Sequence, residues 1–193
     1  MWRLTPTETK QSAQELQKIA RKLRLKGNGV PNFLRLLVKS PASLKAYAQA
    51  REALESGQLT PHQREEISLA VAEINGSKYC LAAHVVAGRQ AGLNDEEIRF
   101  ARKATALDPK AEAMLHFVQA VVLQRGEVND DDFSSMQKAG FSEAEIIEIL
   151  ANVVLNIFTN YFNILAQTDL DNPPSQPVGK ERSADKIISE KSL

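Results

Sequence analysis

Helix-start signals recur along the whole chain, at Thr5-Pro6-Thr7-Glu8, Ser40-Pro41, Thr60-Pro61-His62-Gln63, Asn94-Asp95-Glu96-Glu97, Asp108-Pro109 and Ser142-Glu143-Ala144-Glu145. Four of these set Glu or Gln three residues after a capping side chain, and four put Pro at the first helical position. Both arrangements deal with backbone N–H groups that the first turn of a helix leaves unpaired. No segment sustains alternation of β-branched and polar residues, and no Asn-Gly or Asp-Gly is flanked by strand-like runs. The chain therefore reads as all-α. The pattern predicts helices over 7–26, 32–38, 41–56, 61–75, 77–91, 95–106, 109–125, 130–138, 143–154 and 156–168, joined by the short connections of a compact bundle. A partial repeat fits this reading. Ala91-Gly92-Leu93-Asn94-Asp95-Glu96-Glu97-Ile98 resembles Ala139-Gly140-Phe141-Ser142-Glu143-Ala144-Glu145-Ile146, each a glycine helix end, a hydrophobic staple and a capped start.

With 193 residues, 43% of them hydrophobic, the chain can bury one good core. Its 24 basic and 24 acidic residues cancel, so no global field draws it to nucleic acid or to an anionic membrane. Arg21, Lys22, Arg24 and Lys26 crowd the end of the first predicted helix, where they complement its negative pole. The N-terminus lacks the basic start, apolar stretch and cleavage site of a signal peptide, and no uncharged apolar run is expected to reach membrane-spanning length. One cysteine excludes an internal disulfide or a cysteine-based metal cluster. These features predict a cytoplasmic protein with no cofactor and no metal. The stretch from Pro173, rich in proline and polar residues, reads as a flexible tail.

The single cysteine lies in Asn75-Gly76-Ser77-Lys78-Tyr79-Cys80-Leu81-Ala82-Ala83-His84. Asn75-Gly76 ends the apolar helix before it, and Ser77 can cap the next by accepting the N–H of Cys80. The thiol then stands in a first turn, where the helix dipole favours a thiolate, and His84 at i+4 shares its face. A lone cysteine in an apolar helix is equally the form of an inert core residue.

Glu65, Ser77, Tyr79, Cys80 and His84, with Leu81-Ala82-Ala83 and Ala91-Gly92-Leu93, resemble the signature of the alkylhydroperoxidase D and carboxymuconolactone decarboxylase superfamily, in particular its peroxidase-related branch. That branch carries a Glu followed by Cys-x-Tyr-Cys-x-x-x-His, and the stretch from Asn152 to Asn163 resembles its C-terminal helices. The resemblance implies an alkylhydroperoxidase D-like helical bundle over 31–172, preceded by an N-terminal helical arm (1–30) and followed by a tail (173–193). It further implies that Cys80 is the attacking thiol and that His84 and Glu65 relay protons to it. Tyr79 would shape the pocket, and Ser77 would cap the helix and contact the sulfur. The substrate would be hydrogen peroxide or an organic hydroperoxide. The reductant would be an external thiol, of lipoyl or thioredoxin-like type, and the assembly a homo-oligomer, trimer or hexamer.

Ser77 departs from the family pattern, because a hydroxyl cannot close the disulfide of a Cys-x-x-Cys centre. It is compatible with a one-cysteine peroxidase working through a sulfenic acid. It is also compatible with a catalytically silent or thiol-sensing protein that keeps the fold, and with a substitution that traps one redox state. Decarboxylase chemistry of the same superfamily would need cations for a substrate carboxylate, and only Lys78 and Arg89 lie nearby in sequence. Elsewhere, His116 in Met114-Leu115-His116-Phe117-Val118 reads as a hydrogen-bonded core or interface histidine, and His62 as a residue of an exposed first turn. Asp130-Asp131-Asp132 reads as a dipole-matched helix start, and Glu73 as a snorkelling or paired side chain. The apolar content of Val153 to Leu165 exceeds what one stripe hides within a single chain, which also points to self-association.

Overall fold

The computed structural model describes residues 3–6, 9–22 and 29–171, with the side chain of Lys22 not described. The predicted tail from Pro173 lies outside them, as do Arg24 and Lys26. Among the described residues there are nine helices and no strand: α1 (Lys10–Lys22), α2 (Asn32–Leu37), α3 (Pro41–Glu55), α4 (Pro61–Ile74), α5 (Lys78–Ala91), α6 (Asp95–Arg102), α7 (Pro109–Leu123), α8 (Asp130–Lys138) and α9 (Glu143–Ala166). The fold is all-α, as the capping pattern predicts.

The start signals work largely as written. Thr60 with Gln63, Asn94 with Glu97 and Ser142 with Glu145 form complete capping boxes, and Ser40, Asp108 and Asn129 each accept one first-turn N–H. The repeat is real as geometry. Gly92 and Gly140 both take positive φ, Leu93 and Phe141 donate back to Gly88 and Met136, and Leu93, Ile98, Phe141 and Ile146 are all buried. One signal fails. Thr5-Pro6 starts no helix, and α1 begins at Lys10, where Thr9 and Ser12 exchange side-chain-to-backbone bonds.

Helix α4 runs through the middle and touches α5, α6, α7 and α9. This explains its near-continuous apolar run, since Ile67, Leu69, Ala70, Val71 and Ala72 are all fully buried. One core packs α4 against α6, α7, α8 and the first half of α9 around Met114, Leu115, Met136 and Ile149. A second gathers Phe33, Leu34, Tyr47, Ala72, Tyr79 and Cys80 from α2, α3, the end of α4 and the head of α5. The link from α3 to α4 is held onto α9 by Glu148, whose carboxylate accepts Gln58 N–H at 2.8 Å and Leu59 N–H at 3.1 Å. Glycine at 57 leaves that carboxylate its place, since a Cβ there would push the end of the Glu148 side chain aside.

The predicted break at 155 does not exist: α9 is one helix of 24 residues. Neither Pro nor Gly interrupts it, and three of its four asparagines, which ordinarily compete with a helix, bond its own carbonyls instead. Asn152 donates to Glu148 O, Asn156 to Asn152 O and Asn163 to Thr159 O, each at 2.9 Å. The uncharged stretch from Ile149 to Ala166 therefore belongs to one helix. Against expectation, that helix is long and apolar enough to cross a membrane by length and composition. It is also packed against α3, α4, α5 and α7, with Asn152, Asn156, Asn160 and Asn163 all turned into the protein.

Candidate active site around Cys80

The turn between α4 and α5 sets the site. Asn75, Gly76 and Ser77 bond back to Val71, Glu73 and Ala72, with Gly76 at φ +67°, so α5 starts beside the end of α4. Ser77 occupies the N-cap position, and its carbonyl accepts Leu81 N–H at 2.9 Å. Its hydroxyl, however, does not cap the helix as expected. That hydroxyl is buried without a hydrogen-bond partner of normal geometry, yet lies close enough to the sulfur to favour the thiolate.

Cys80 is 4% exposed, in the first turn of α5. Asn163, from the penultimate turn of α9, donates its Nδ2–H to Sγ at 3.3 Å. The predicted low thiol pKa is overturned. Burial pushes the thiol above its ordinary value, and the nearby Ser77 hydroxyl, the Asn163 hydrogen bond and the Thr159 hydroxyl offset only part of that. Desolvation of a wholly buried thiolate outweighs three neutral donors and the end of one helix dipole.

His84 and Glu65 do come together, with Nδ1 and Oε2 2.8 Å apart and each side chain roughly a quarter exposed. This dyad spans α5 and α4 one turn beyond the thiol. His84 is not among the groups hydrogen-bonded to Cys80 or shifting its pKa. Tyr79 is engaged elsewhere. Its hydroxyl donates to Asp171 Oδ2 at 2.6 Å and accepts Phe33 N–H at 3.2 Å, while Asp171 Oδ1 accepts Asn32 N–H at 2.7 Å. The phenol therefore ties the segment after α9 to α2, and burial and Asp171 together push its pKa strongly upward. In this structure the hydroxyl is committed to that link rather than to the sulfur.

The other singled-out residues stay on the surface. Arg89 pairs with Asp95 at 2.9 Å and Lys78 is exposed, so neither supplies the cation a lactone acid would need beside the thiol. Glu73 pairs with Arg102 at 2.7 Å. His116 lies 3.0 Å from the Glu112 carboxylate on an exposed part of α7 rather than in the core. Among the described residues no group of three or more His, Cys, Asp or Glu is arranged to hold a metal. Sequence reasoning missed Asn156, Thr159, Asn160 and Asn163. Their signal was present in the spacing 152, 156, 160 and 163, one polar stripe on an otherwise apolar helix.

Residues 41–122, which contain Glu65, Ser77, Cys80 and His84, match the carboxymuconolactone decarboxylase family. The chain is similar to the alkylhydroperoxidase AhpD core of an uncharacterized peroxidase-related protein from Ralstonia eutropha JMP134. Identity is 23% over 89% of this chain and 93% of that one, with a TM-score of 0.76. It is also similar to an uncharacterized peroxidase-related protein from Silicibacter sp. TM1040, at 22% identity over 86% and 89% of the two chains and a TM-score of 0.72. A third similar structure is the debrominase Bmp8 in a cysteine-to-alanine variant complexed with 2,3,4-tribromopyrrole. There identity is 17% over 88% and 91% of the two chains, and the TM-score is 0.73. No curated protein matches the chain significantly. The family match covers the segment that carries these residues, and the structural likenesses establish an alkylhydroperoxidase D-like fold.

Proposed function

We propose that the protein is a thiol-dependent, peroxidase-like enzyme of a reducing cytoplasm, in which Cys80 attacks a hydroperoxide. The observation that carries this reading is the pairing of a sulfur that accepts the Asn163 amide and lies beside the Ser77 and Thr159 hydroxyls with a His84–Glu65 dyad on the same helix face one turn on. As the Cys80 S–O bond forms, the peroxide O–O bond breaks and an alcohol or water leaves. The thiol proton ends on that leaving oxygen, with His84, oriented by Glu65, moving it through a water or the substrate itself. The resulting sulfenic acid condenses with an external thiol, releasing water. A second thiol then frees Cys80 and carries away the disulfide. Ser77 cannot act as the resolving thiol, so a dithiol donor of lipoyl or thioredoxin-like type supplies both electrons.

The test is peroxide consumption with dihydrolipoamide or reduced thioredoxin as donor. Cys80→Ser should fall to background, and His84→Ala should lose about a hundredfold or more at pH 7.5. A second reading is favoured by the burial of Cys80 and its raised pKa: a thiol sensor, or a silent member of the fold. It predicts that Cys80 is oxidised once and not recycled by any donor. Similarity to a debrominase makes a halogenated pyrrole the second substrate class for the same assay. We further propose that the protein assembles as a homo-oligomer, trimer or hexamer, through the outward face of α9.

A further inference from the structure

The zero net charge conceals a division along the chain. Residues 1–51 carry eleven Lys and Arg against two Asp and Glu, whereas residues 52–193 carry thirteen against twenty-two, so a surplus of nine cations is balanced by a surplus of nine anions. The described part of the basic stretch is chiefly α1, α2 and most of α3. Its apolar side chains, Leu16, Phe33, Leu34, Leu44 and Tyr47 among them, are buried in the second core, the one that holds Tyr79 and Cys80. Its cations are outside. Lys10, Lys18 and Arg21 on α1, Lys39 just after α2 and Lys45 on α3 are all exposed. Lys10 and Arg21 stand eleven residues apart and so share one face of α1, opposite Leu16 and Ile19. Lys18 pairs with Glu15 and Lys39 donates to the Thr5 carbonyl, but no carboxylate among the described residues pairs with Lys10, Arg21 or Lys45. Between α1 and the start of α2 lies a cleft of about 580 Å³ lined by Thr9, Lys10, Ser12, Leu16, Val30 and Arg35, with no carboxylate among its described lining residues.

We propose that this basic face, with its cleft, is the docking surface for an acidic protein, the one that supplies electrons to Cys80. The donor role rests on the peroxidase reading above; the face adds where the donor lands and what charge it carries there. Helices α1, α2 and α3 close the same core as Cys80, so the positive part of the molecule marks the end at which a donor arrives. Opposite charge raises encounter rates by about 10- to 1,000-fold and orients the partner before contact. Other anionic partners fit less well. A helix holds to a membrane surface by inserting apolar side chains, and Leu16 and Ile19 of α1 are committed to the core. Single-stranded nucleic acid needs aromatic rings to stack on, and Phe33 and Tyr47 are buried. A long polyanion of either kind would also extend over the acidic remainder of the chain, whereas a compact protein can stay on the basic part. An acidic loop of such a protein has room in the cleft beside Lys10.

Because Cys80 is the only thiol, its exchange can be followed alone in the full chain. Ellman's reagent converts it to a mixed disulfide, releasing one thionitrobenzoate. A dithiol donor then attacks that disulfide, frees the second thionitrobenzoate and Cys80, and closes its own disulfide. No peroxide takes part, so a failure of the peroxidase reading, seen as a Cys80 that peroxide does not oxidise, leaves this test in force. Release by a reduced, net-negative thioredoxin should fall about tenfold or more as salt rises from about 0.01 M to about 0.15 M, over which the Debye length shrinks from about 30 to about 8 Å. Release by dithiothreitol, which has no charged surface to steer, should stay within about twofold. Lys10→Glu, Arg21→Glu and Lys45→Glu together should slow thioredoxin about tenfold at low salt and abolish its salt dependence, leaving dithiothreitol unchanged. Lys103→Glu, Arg125→Glu and Lys138→Glu, the same change in net charge outside the basic stretch, should do neither. Salt-independent release by thioredoxin, or equal losses in the two triple variants, would overturn the face. So would binding of the parent, but not of the first triple variant, to phosphatidylserine vesicles or duplex DNA at physiological salt. Where Ellman's reagent does not reach the buried thiol, carbodiimide cross-linking to the same thioredoxin decides. Salt-sensitive cross-links through Lys10, Lys39 or Lys45 support the face, and cross-links elsewhere or none overturn it.

Discussion

The two faces of α9 invert the usual polarity of a surface helix. Toward the protein it presents Asn152, Asn156, Thr159, Asn160 and Asn163, none more than 9% exposed. Outward it presents Val154, Phe158, Tyr161 and Leu165, between 40% and 61% exposed and spaced as one stripe. The inner face is inexpensive because most of its amides bond their own helix. The outer face is large side chains without a charge among them, which water disfavours and a second copy of the same chain would cover. On the function and assembly proposed above, one helix would serve two ends, chemistry on the inner face and assembly on the outer.

Breaking the outer face should give the largest change. The parent should scatter light as a multiple of one chain at micromolar concentration, and Val154→Glu combined with Phe158→Glu should return it to the mass of a single chain while leaving far-ultraviolet dichroism intact. A parent with single-chain mass would remove assembly from the comparison.

Breaking the inner face should act on the thiol. Since Asn163 lowers the Cys80 pKa against the larger effect of burial, Asn163→Leu should move the alkylation inflection further up and slow alkylation at pH 8 by up to about tenfold. An unchanged profile would show that the contact at 3.3 Å does not reach the sulfur's charge. The stability profile follows from the sign of the shift. The folded protein holds the thiol proton to higher pH than the unfolded chain, so the contribution of Cys80 is complete below the ordinary thiol range and is lost as pH rises through the folded pKa. Cys80→Ser should remove that alkaline slope.

A second titration must be kept apart from it. Burial, with Glu97 and Asp108 nearby, raises Glu66 from 4.5 to about 7. Its contribution is complete below pH 4.5 and is lost as pH rises through about 7. Glu66→Gln should therefore raise the melting temperature at pH 8, leave it nearly unchanged at pH 4, and not move the Cys80 inflection. A shift of that inflection would mean the two regions are coupled.

Helix starts were legible because capping is local: Thr60-Gln63, Asn94-Glu97 and Ser142-Glu145 need only three residues of context. The Glu65–His84 pair was legible through resemblance. The inner face of α9 was not, because an asparagine in a helix ordinarily signals an end or an exposed surface, and only the partner across the core shows otherwise. That same view split α9 at 155. The pKa of Cys80 was misjudged for a related reason. Its place in a first turn can be read from sequence, whereas its burial beneath α9 and α2 is tertiary.

The smallest expected effect tests whether the end of α9 is held or merely rests in place. Tyr79 adjoins Cys80 in sequence, but its hydroxyl is committed to Asp171 and Phe33, and Phe33 in turn packs edge-on against Phe162 of α9, with ring centroids 5.5 Å apart. If the phenol is a clamp, Tyr79→Phe removes the hydrogen bond to the Asp171 carboxylate and the one accepted from Phe33 N–H, and leaves the ring packed. Stability should then fall by about 2 kcal/mol, while Cys80 alkylation and peroxide oxidation stay within about twofold of the parent. If the phenol instead donates to the reacting oxygen, the same variant should keep its stability and lose about a hundredfold in peroxide rate. Measuring unfolding and both Cys80 rates on this one protein separates the two roles. A fall in peroxide rate without a fall in stability would return Tyr79 to the chemistry of the inner face.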